Sequence, residues 1–262
     1  MPGFPLRKKA TKDTIIYWVN DIGKDSLKME IIENKIIIDT INVALFKKGK
    51  GRKSELEDEK AKKLEVKNNI KSNFIDLNKP LILTFGYPIQ SVDTAGIRLY
   101  ENDTIPIEAA YDFVDSIHRK LKFDYKWKKA TPYTLHIKDS TFVDILSHKN
   151  DSLLLRFTSR SPDDYGNLMI NLEISNTGVN HVVQLISNDK VLREANLNKS
   201  ERLSFTYLTP GKYTLKVIDD LNNNGKWDTG DYIYKIQPEK VRFFPTEIDV
   251  RSNWDIEEDW KL

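Results

Sequence analysis

The chain has 262 residues, with 41 Lys and Arg against 39 Asp and Glu and no cysteine. A net charge of +2 raises no field that marks nucleic acid or an acidic surface as a partner. The missing cysteine excludes a disulfide framework and thiolate metal sites, and a length beyond the usual ~100–200 residues per domain favours two or three units over one core.

In chain order, Met1 to Lys9 lacks the apolar core of roughly 7–15 residues that a secretory signal needs. No stretch approaches the ~18 consecutive apolar residues of a membrane span, so no membrane insertion is expected. Strand-like sequence begins at Thr14-Ile15-Ile16-Tyr17-Trp18-Val19, and the N-terminus reads as the interior of a longer protein. Residues 1–46 offer three strands, too few for a sandwich, and are read as the C-terminal strands of a partial Ig-like module. Residues 47–63, a charged run with Gly49 and Gly51, are read as a linker. Glu55, Glu57, Asp58 and Glu59 interrupt the positive charge and weigh against a polybasic lipid contact.

Residues 64–160 carry a complete set of strands near 64–70, 80–85, 96–100, 104–108, 119–126, 132–138 and 151–158, with Pro80, Pro88, Pro106 and Pro132 at starts or turns. After Ser161-Pro162-Asp163-Asp164-Tyr165-Gly166 a second module, 161–262, has strands near 167–175, 180–187, 190–195, 202–207, 211–218, 231–236 and 246–251. The signal is apolar alternation at period two, as in Leu81-Ile82-Leu83-Thr84-Phe85 and Tyr213-Thr214-Leu215-Lys216-Val217. Asp followed by Thr or Ser precedes many of these runs, as at Asp13, Asp25, Asp39, Asp93, Asp103, Asp115, Asp139 and Asp151, where a short oxygen-bearing side chain caps a turn. The fold class is all-β: tandem Ig-like or transthyretin-like β-sandwiches. The acidic, aromatic segment from Trp254 to Trp260 reads as a tail that docks on its own module or on a partner protein.

Two stretches carry a resemblance. Asn78-Lys79-Pro80-Leu81-Ile82-Leu83-Thr84-Phe85-Gly86-Tyr87-Pro88-Ile89, with Ile97-Arg98-Leu99-Tyr100 and Tyr133-Thr134-Leu135-His136-Ile137, resembles the bacterial Ig-like module of Bacteroidetes envelope proteins and lipoproteins. Leu208-Thr209-Pro210-Gly211-Lys212-Tyr213-Thr214-Leu215, Asp228-Thr229-Gly230-Asp231 and Gln237-Pro238-Glu239-Lys240-Val241 resemble the C-terminal module of such proteins, itself similar to transthyretin-like or collagen-adhesin B-type sandwiches. The resemblance implies an exported protein, periplasmic or at the outer-membrane surface, whose partners are proteins or glycans of the envelope.

One motif carries chemistry. Asp220, Asn222, Asn224, Asp228 and Asp231 occupy positions 1, 3, 5, 9 and 12 of a twelve-residue loop, with Gly225 at 6 and the Lys226 carbonyl at 7. This is the EF-hand spacing, in which alternate oxygens converge on a hard cation and glycine allows the sharp turn. Lys212 to Ile218 alternates like a strand, so the expected site is a calcium-clipped β connection without EF-hand helices. Three carboxylates and a short closing Asp predict a Ca²⁺ affinity in the ~10⁻⁴–10⁻³ M range. The rival is a hairpin turn at Asn224-Gly225 that binds nothing. Trp227 is expected to plug the core behind the loop.

Catalysis finds little support. There is no Gly-x-Ser-x-Gly elbow, and His118, His136, His148 and His181 lie far apart and are expected on the surface. Adjacent acids such as Asp163-Asp164, Asp219-Asp220 and Glu257-Glu258 point apart on a strand and do not make a hydrolytic pair. A non-catalytic structural or binding role is therefore expected. The alternatives are a calcium-dependent carbohydrate-binding or adhesin domain, for which Trp18, Trp127, Trp254 and Trp260 leave room, and an accessory region of a larger hydrolase.

Overall fold

Along Leu81–Phe85 every second side chain is sealed from water: Leu81, Leu83 and Phe85 are fully buried while Ile82 and Thr84 are half-buried. The same alternation recurs in central strands of both units, as along Gly166–Glu173, whereas Ile36–Ala44 is exposed throughout. A computed structural model describes residues 6–11, 14–18, 26–44, 62–176 and 178–262, and the chain divides into two units, Met1–Ser159 and Arg160–Leu262. Most of the 47–63 segment read as a linker lies outside the described residues; at its end Lys63 pairs with Asp151 at 2.8 Å.

The first unit opens with two antiparallel hairpins, β1 (Leu6–Thr11) with β2 (Thr14–Trp18) and β3 (Ser26–Glu33) with β4 (Ile36–Ala44). Eleven strands follow. They are β5 (Val66–Asn68), β6 (Phe74–Ile75), β7 (Leu81–Phe85), β8 (Ile89–Val92), β9 (Ile97–Glu101) and β10 (Ile105–Ile107), then β11 (Ala110–Phe113), β12 (Lys120–Asp124), β13 (Pro132–Ile137), β14 (Phe142–Asp144) and β15 (Leu153–Ser159). A five-stranded sheet in the order β10-β9-β13-β15-β6 and a four-stranded sheet in the order β11-β12-β7-β5 enclose one core, with β8 and β14 paired beside them. Leu83, Phe85 and Phe123 from one sheet share that core with Leu99, Tyr133, Leu135 and Phe157 from the other. This is a β-sandwich, formed because period-two strands can hide one face only against another sheet.

The second unit has eight strands: β16 (Gly166–Glu173), β17 (Asn180–Ser187), β18 (Lys190–Leu197), β19 (Glu201–Leu208), β20 (Gly211–Asp220), β21 (Val241–Phe243), β22 (Ile248–Val250) and β23 (Asp255–Lys261). One sheet runs β19-β16-β23 and the other β18-β17-β20-β21, with β22 pairing the start of β20. Leu168, Ile170 and Leu172 of β16 pack with Val183, Leu185, Leu215 and Val217 of β17 and β20. The fold class expected from sequence is the one observed.

Two expectations change and one is sharpened, since the tail docks on its own module as expected but does so as a strand. Residues 231–236 do not form a strand but a four-residue turn closed by a bridge between Asp231 and Ile236. The acidic C-terminal tail is a strand: β23 pairs in parallel with β16 from Asn167–Asp255 to Glu173–Lys261 and buries Trp260. Its outward acids are held by Asn171, which donates to Glu257 and Asp259 at 3.0 and 2.8 Å, so charge on one face conceals the apolar alternation of the other. Of the Asp-Thr and Asp-Ser pairs, Asp93 accepts the Ala95 amide and Asp115 those of Arg119 and Lys120, as turn caps do. Asp39 instead lies inside β4, and Asp13 and Asp25 lie outside the described residues.

At one end of the first sandwich, Trp127 and Tyr133 meet edge to face at 4.9 Å, and buried Glu101 accepts from Lys128 at 2.7 Å and Tyr125 at 3.3 Å. Burial pushes the Tyr133 phenol up; for Tyr125, burial and then the adjacent Glu101 carboxylate do the same. A phenol raised in the folded state contributes stability that is complete below its ordinary value, near pH 10, and is lost as pH rises through the folded value. The urea midpoint of the wild type is therefore expected to fall above about pH 10, and the Tyr125→Phe/Tyr133→Phe variant to show a shallower fall over the same range.

Candidate functional site

The loop begins where the β20 core pattern stops. Tyr213, Leu215 and Val217 point into the sandwich, and Asp220, the last residue of β20, is buried at its end. Its two oxygens accept the Asn224 amide at 3.1 Å and the Gly225 amide at 2.8 Å, folding the chain back over the carboxylate. Asn223 and Gly225 take the turn at φ of 60° and 73°. The Asn224-Gly225 hairpin expected as the rival does not form: positive φ falls at Asn223 instead, and β20 next pairs with β21, twenty residues on.

Asn222 and Asn224 both turn their carboxamides to one oxygen of Asp228, each at 2.6 Å. The Lys226 amide donates to the Asn224 side-chain oxygen at 2.8 Å, and the Asn224 amide also reaches the Asn222 oxygen at 3.1 Å. Asp220, Asn222, Asn224, Lys226 and Asp228 are thus joined in one hydrogen-bonded set. Asp231 is not part of it, because its carboxylate accepts the amides of Ile233 and Tyr234 at 2.8 and 3.0 Å. Among the described residues, no three His, Asp or Glu side chains converge as a ligand set, so any cation here must draw on the carboxamides.

Glu239 is the residue that sequence spacing missed. It is buried, and its two oxygens accept the amides of Leu221 at 2.8 Å and Asp228 at 3.0 Å, clamping the two ends of the loop. The main chain of Glu239 adds to this, its amide donating to the Asp228 carbonyl at 3.2 Å and its carbonyl accepting the Trp227 indole N–H at 3.0 Å. That bond holds Trp227 at the surface, 45% exposed, and corrects its expected place in the core. The only signal in the sequence was an acid after Gln237-Pro238, eight residues beyond the expected closing position.

Two histidines are not at the surface. His148 is buried with Asp144, its Nδ1 2.8 Å from Oδ2, while Asp144 Oδ1 accepts the amides of Leu146 and His148. His181 is buried with Nδ1 3.0 Å from Asp219, which also pairs with Arg242. Both were concealed in sequence because their carboxylate partners become neighbours only through a turn or a strand register, His181 sitting opposite Asp219 in the β17–β20 ladder. His118 is exposed and stacks on Phe113. Of the tryptophans weighed for a sugar face, Trp18, Trp127 and Trp260 are buried and Trp254 is exposed.

A groove of about 550 Å³ lies against β16, β19 and β23, lined by Glu173, Arg202, Asp259, Trp260 and Lys261 among others. Lys261 pairs there with Glu173 at 2.9 Å, and Arg202 with Glu257 at 3.2 Å. Neither the groove nor the loop joins a nucleophile to a base.

No protein-family model matches the chain, and no curated protein does. Among solved structures it is similar to native α-2-macroglobulin from Escherichia coli spanning domains MG0-NIE-MG1, at 10% identity and a TM-score of 0.32, covering 71% of this chain and 73% of that one. It is also similar to the N-terminal part of the bacterial S-layer protein SbsC, at 11% identity and a TM-score of 0.34, covering 79% and 47%. A third similarity is to the LD transpeptidase LdtMt1 in complex with imipenem, at 16% identity and a TM-score of 0.26, covering 50% of each chain. Likeness at this level carries no functional information.

Removing the Glu239 carboxylate leaves two loop amides without acceptors. Glu239→Ala is expected to cost about 1–3 kcal/mol, read as a lower urea midpoint together with faster hydrogen exchange at Leu221 and Asp228, whereas Lys226→Ala leaves both unchanged.

Proposed function

We propose that this chain is a non-catalytic structural or binding stretch of an exported cell-envelope protein, its second sandwich stiffened by a weakly bound Ca²⁺. One observation carries the non-catalytic reading. The buried ionisable side chains Glu101, Asp144, His148, His181, Asp220 and Glu239 all hydrogen-bond to the main chain or to another side chain of their own sandwich. Such pairing suits groups that fasten loops, whereas a nucleophile or general base must present its reactive atom to a substrate. Export is supported by the resemblance of the Asn78–Ile89 and Leu208–Val241 stretches to envelope modules.

The chemistry of the loop supports the cation. Turned over, with loss of the bonds their oxygens accept from the Asn224 and Lys226 amides, the Asn222 and Asn224 carboxamides would aim oxygens at an ion beside the Asp228 carboxylate. Asp220 and the Lys226 carbonyl would complete the set as the spacing expects. Asp231 would act through its own turn rather than as a closing ligand.

The test is a calcium titration by calorimetry and thermal melting on the wild type, Asp228→Ala and Asp220→Ala. At ten times its dissociation constant the ion is expected to stabilise the wild type by about 1.4 kcal/mol, with no gain in either variant. Equal melting temperatures with and without millimolar calcium in the wild type would remove the ion and leave the sandwiches. Protease shaving of intact producing cells tests export separately: peptides of this chain released from whole cells support it, and peptides found only after lysis overturn a surface location.

A further inference from the structure

Asn224-Gly225 is the one Asn-Gly step in the sequence. Glycine has no Cβ to keep its own main-chain nitrogen away from the carboxamide of the residue before it, so this step can react with itself. When the Gly225 nitrogen attacks the Asn224 Cγ, a new N–C bond forms, the Cγ–Nδ2 bond breaks and the amide proton ends on the departing ammonia. Water then opens the cyclic imide, at one carbonyl to an aspartate in place of Asn224 and at the other to an isoaspartate. One water is consumed for each ammonia released, and no other reactant is needed.

Both reacting groups are held back by the loop. The Gly225 N–H donates to Asp220 at 2.8 Å, and Asp220 is only 3% exposed, so the nucleophile is tied to a buried carboxylate. The carboxamide is tied at both ends: its oxygen accepts the Lys226 amide at 2.8 Å, and its nitrogen donates to Asp228 at 2.6 Å. Glu239 in turn fixes Asp228 through its main-chain amide. Attack requires the Asn224 side chain to swing back onto the Gly225 nitrogen, which breaks these bonds. Asn224 is itself exposed, so water reaches the imide directly.

The product does not fit the place it leaves. A carboxylate at this position has no N–H to give, and it would stand where a hydrogen bond now joins Asn224 to Asp228, so attraction becomes repulsion between like charges. We propose that Asn224 is a modification site, a hydrolytic deamidation gated by opening of the loop and made one-way by Asp228. Each loop that opens and reacts stays open. The reaction needs no cation and stands apart from the calcium reading.

The experiment is incubation of the full chain at mildly alkaline pH in chelator. Peptide mass spectrometry follows the exchange of NH2 for OH at Asn224, and isoaspartyl methyltransferase labelling reports the isomer. The folded wild type is expected to react at least about tenfold more slowly than the same chain in urea. Asp228→Ala, which frees the carboxamide, and Asp220→Ala, which frees the Gly225 amide, are each expected to react about tenfold faster than the folded wild type, as loss of a hydrogen bond to a charged group implies. Should Asp220→Ala fail to fold, Asp228→Ala decides, because its side chain is not fully buried. Aged protein and Asn224→Asp are expected to exchange the Gly225 amide hydrogen faster than fresh wild type. The proposal is overturned by a chain that stays unreacted in urea, by equal rates folded and in urea, or by folded variants no faster than the wild type. Aged protein whose Gly225 amide exchanges as slowly as before would overturn the one-way step. With no ion in any arm, none of these outcomes bears on the calcium titration.

Discussion

Each strand here has one side for the core and one for water, and that constraint determines where anything else can happen. Two sheets packed about 10 Å apart leave no room between them for more than interdigitated apolar side chains. Leu83, Leu135, Leu215 and Val217 fill that space completely, none with measurable exposure. Polar chemistry is therefore confined to strand ends and connections. β20 shows the transition: its inward positions are apolar from Tyr213 to Ile218, and the next two residues, Asp219 and Asp220, anchor respectively a buried histidine and a loop.

A single device then recurs at the connections. A carboxylate accepts two main-chain amides of a tight bend: Asp115 with Arg119 and Lys120, Asp144 with Leu146 and His148, Asp220 with Asn224 and Gly225, Asp231 with Ile233 and Tyr234. Glu239 does the same across a longer span, joining Leu221 to Asp228. Charge-assisted bonds to amides are stronger than neutral ones, and a bend without regular pairing must find such acceptors or leave its amides to water. This accounts for the acids that stand at these bends among the described residues.

The 221–240 connection is long for a β protein, where most connections run to about six residues, and long loops with their own order are commonly functional. Its inner half is a polar network and its outer half an apolar turn. The two halves meet at Glu239, which clamps Leu221 to Asp228, and at Gly230, which lies against the Ile236 carbonyl.

From sequence alone, period-two alternation determined the all-β class and most central strands, because burial on one face is a local property of each strand. Nearness in the chain likewise makes local bonds legible: Asn222 and Asn224 reach Asp228, and Asp220 holds the Asn224 amide, all within nine residues. Tertiary structure alone decided the rest. Pairing of β23 with β16 joins residues 88 apart, and neither strand announces the other. Glu239, His181 with Asp219, and the exposure of Trp227 depend on how distant segments are brought together, and a contact between residues far apart in the chain is paid for in loop-closure entropy that no local pattern records.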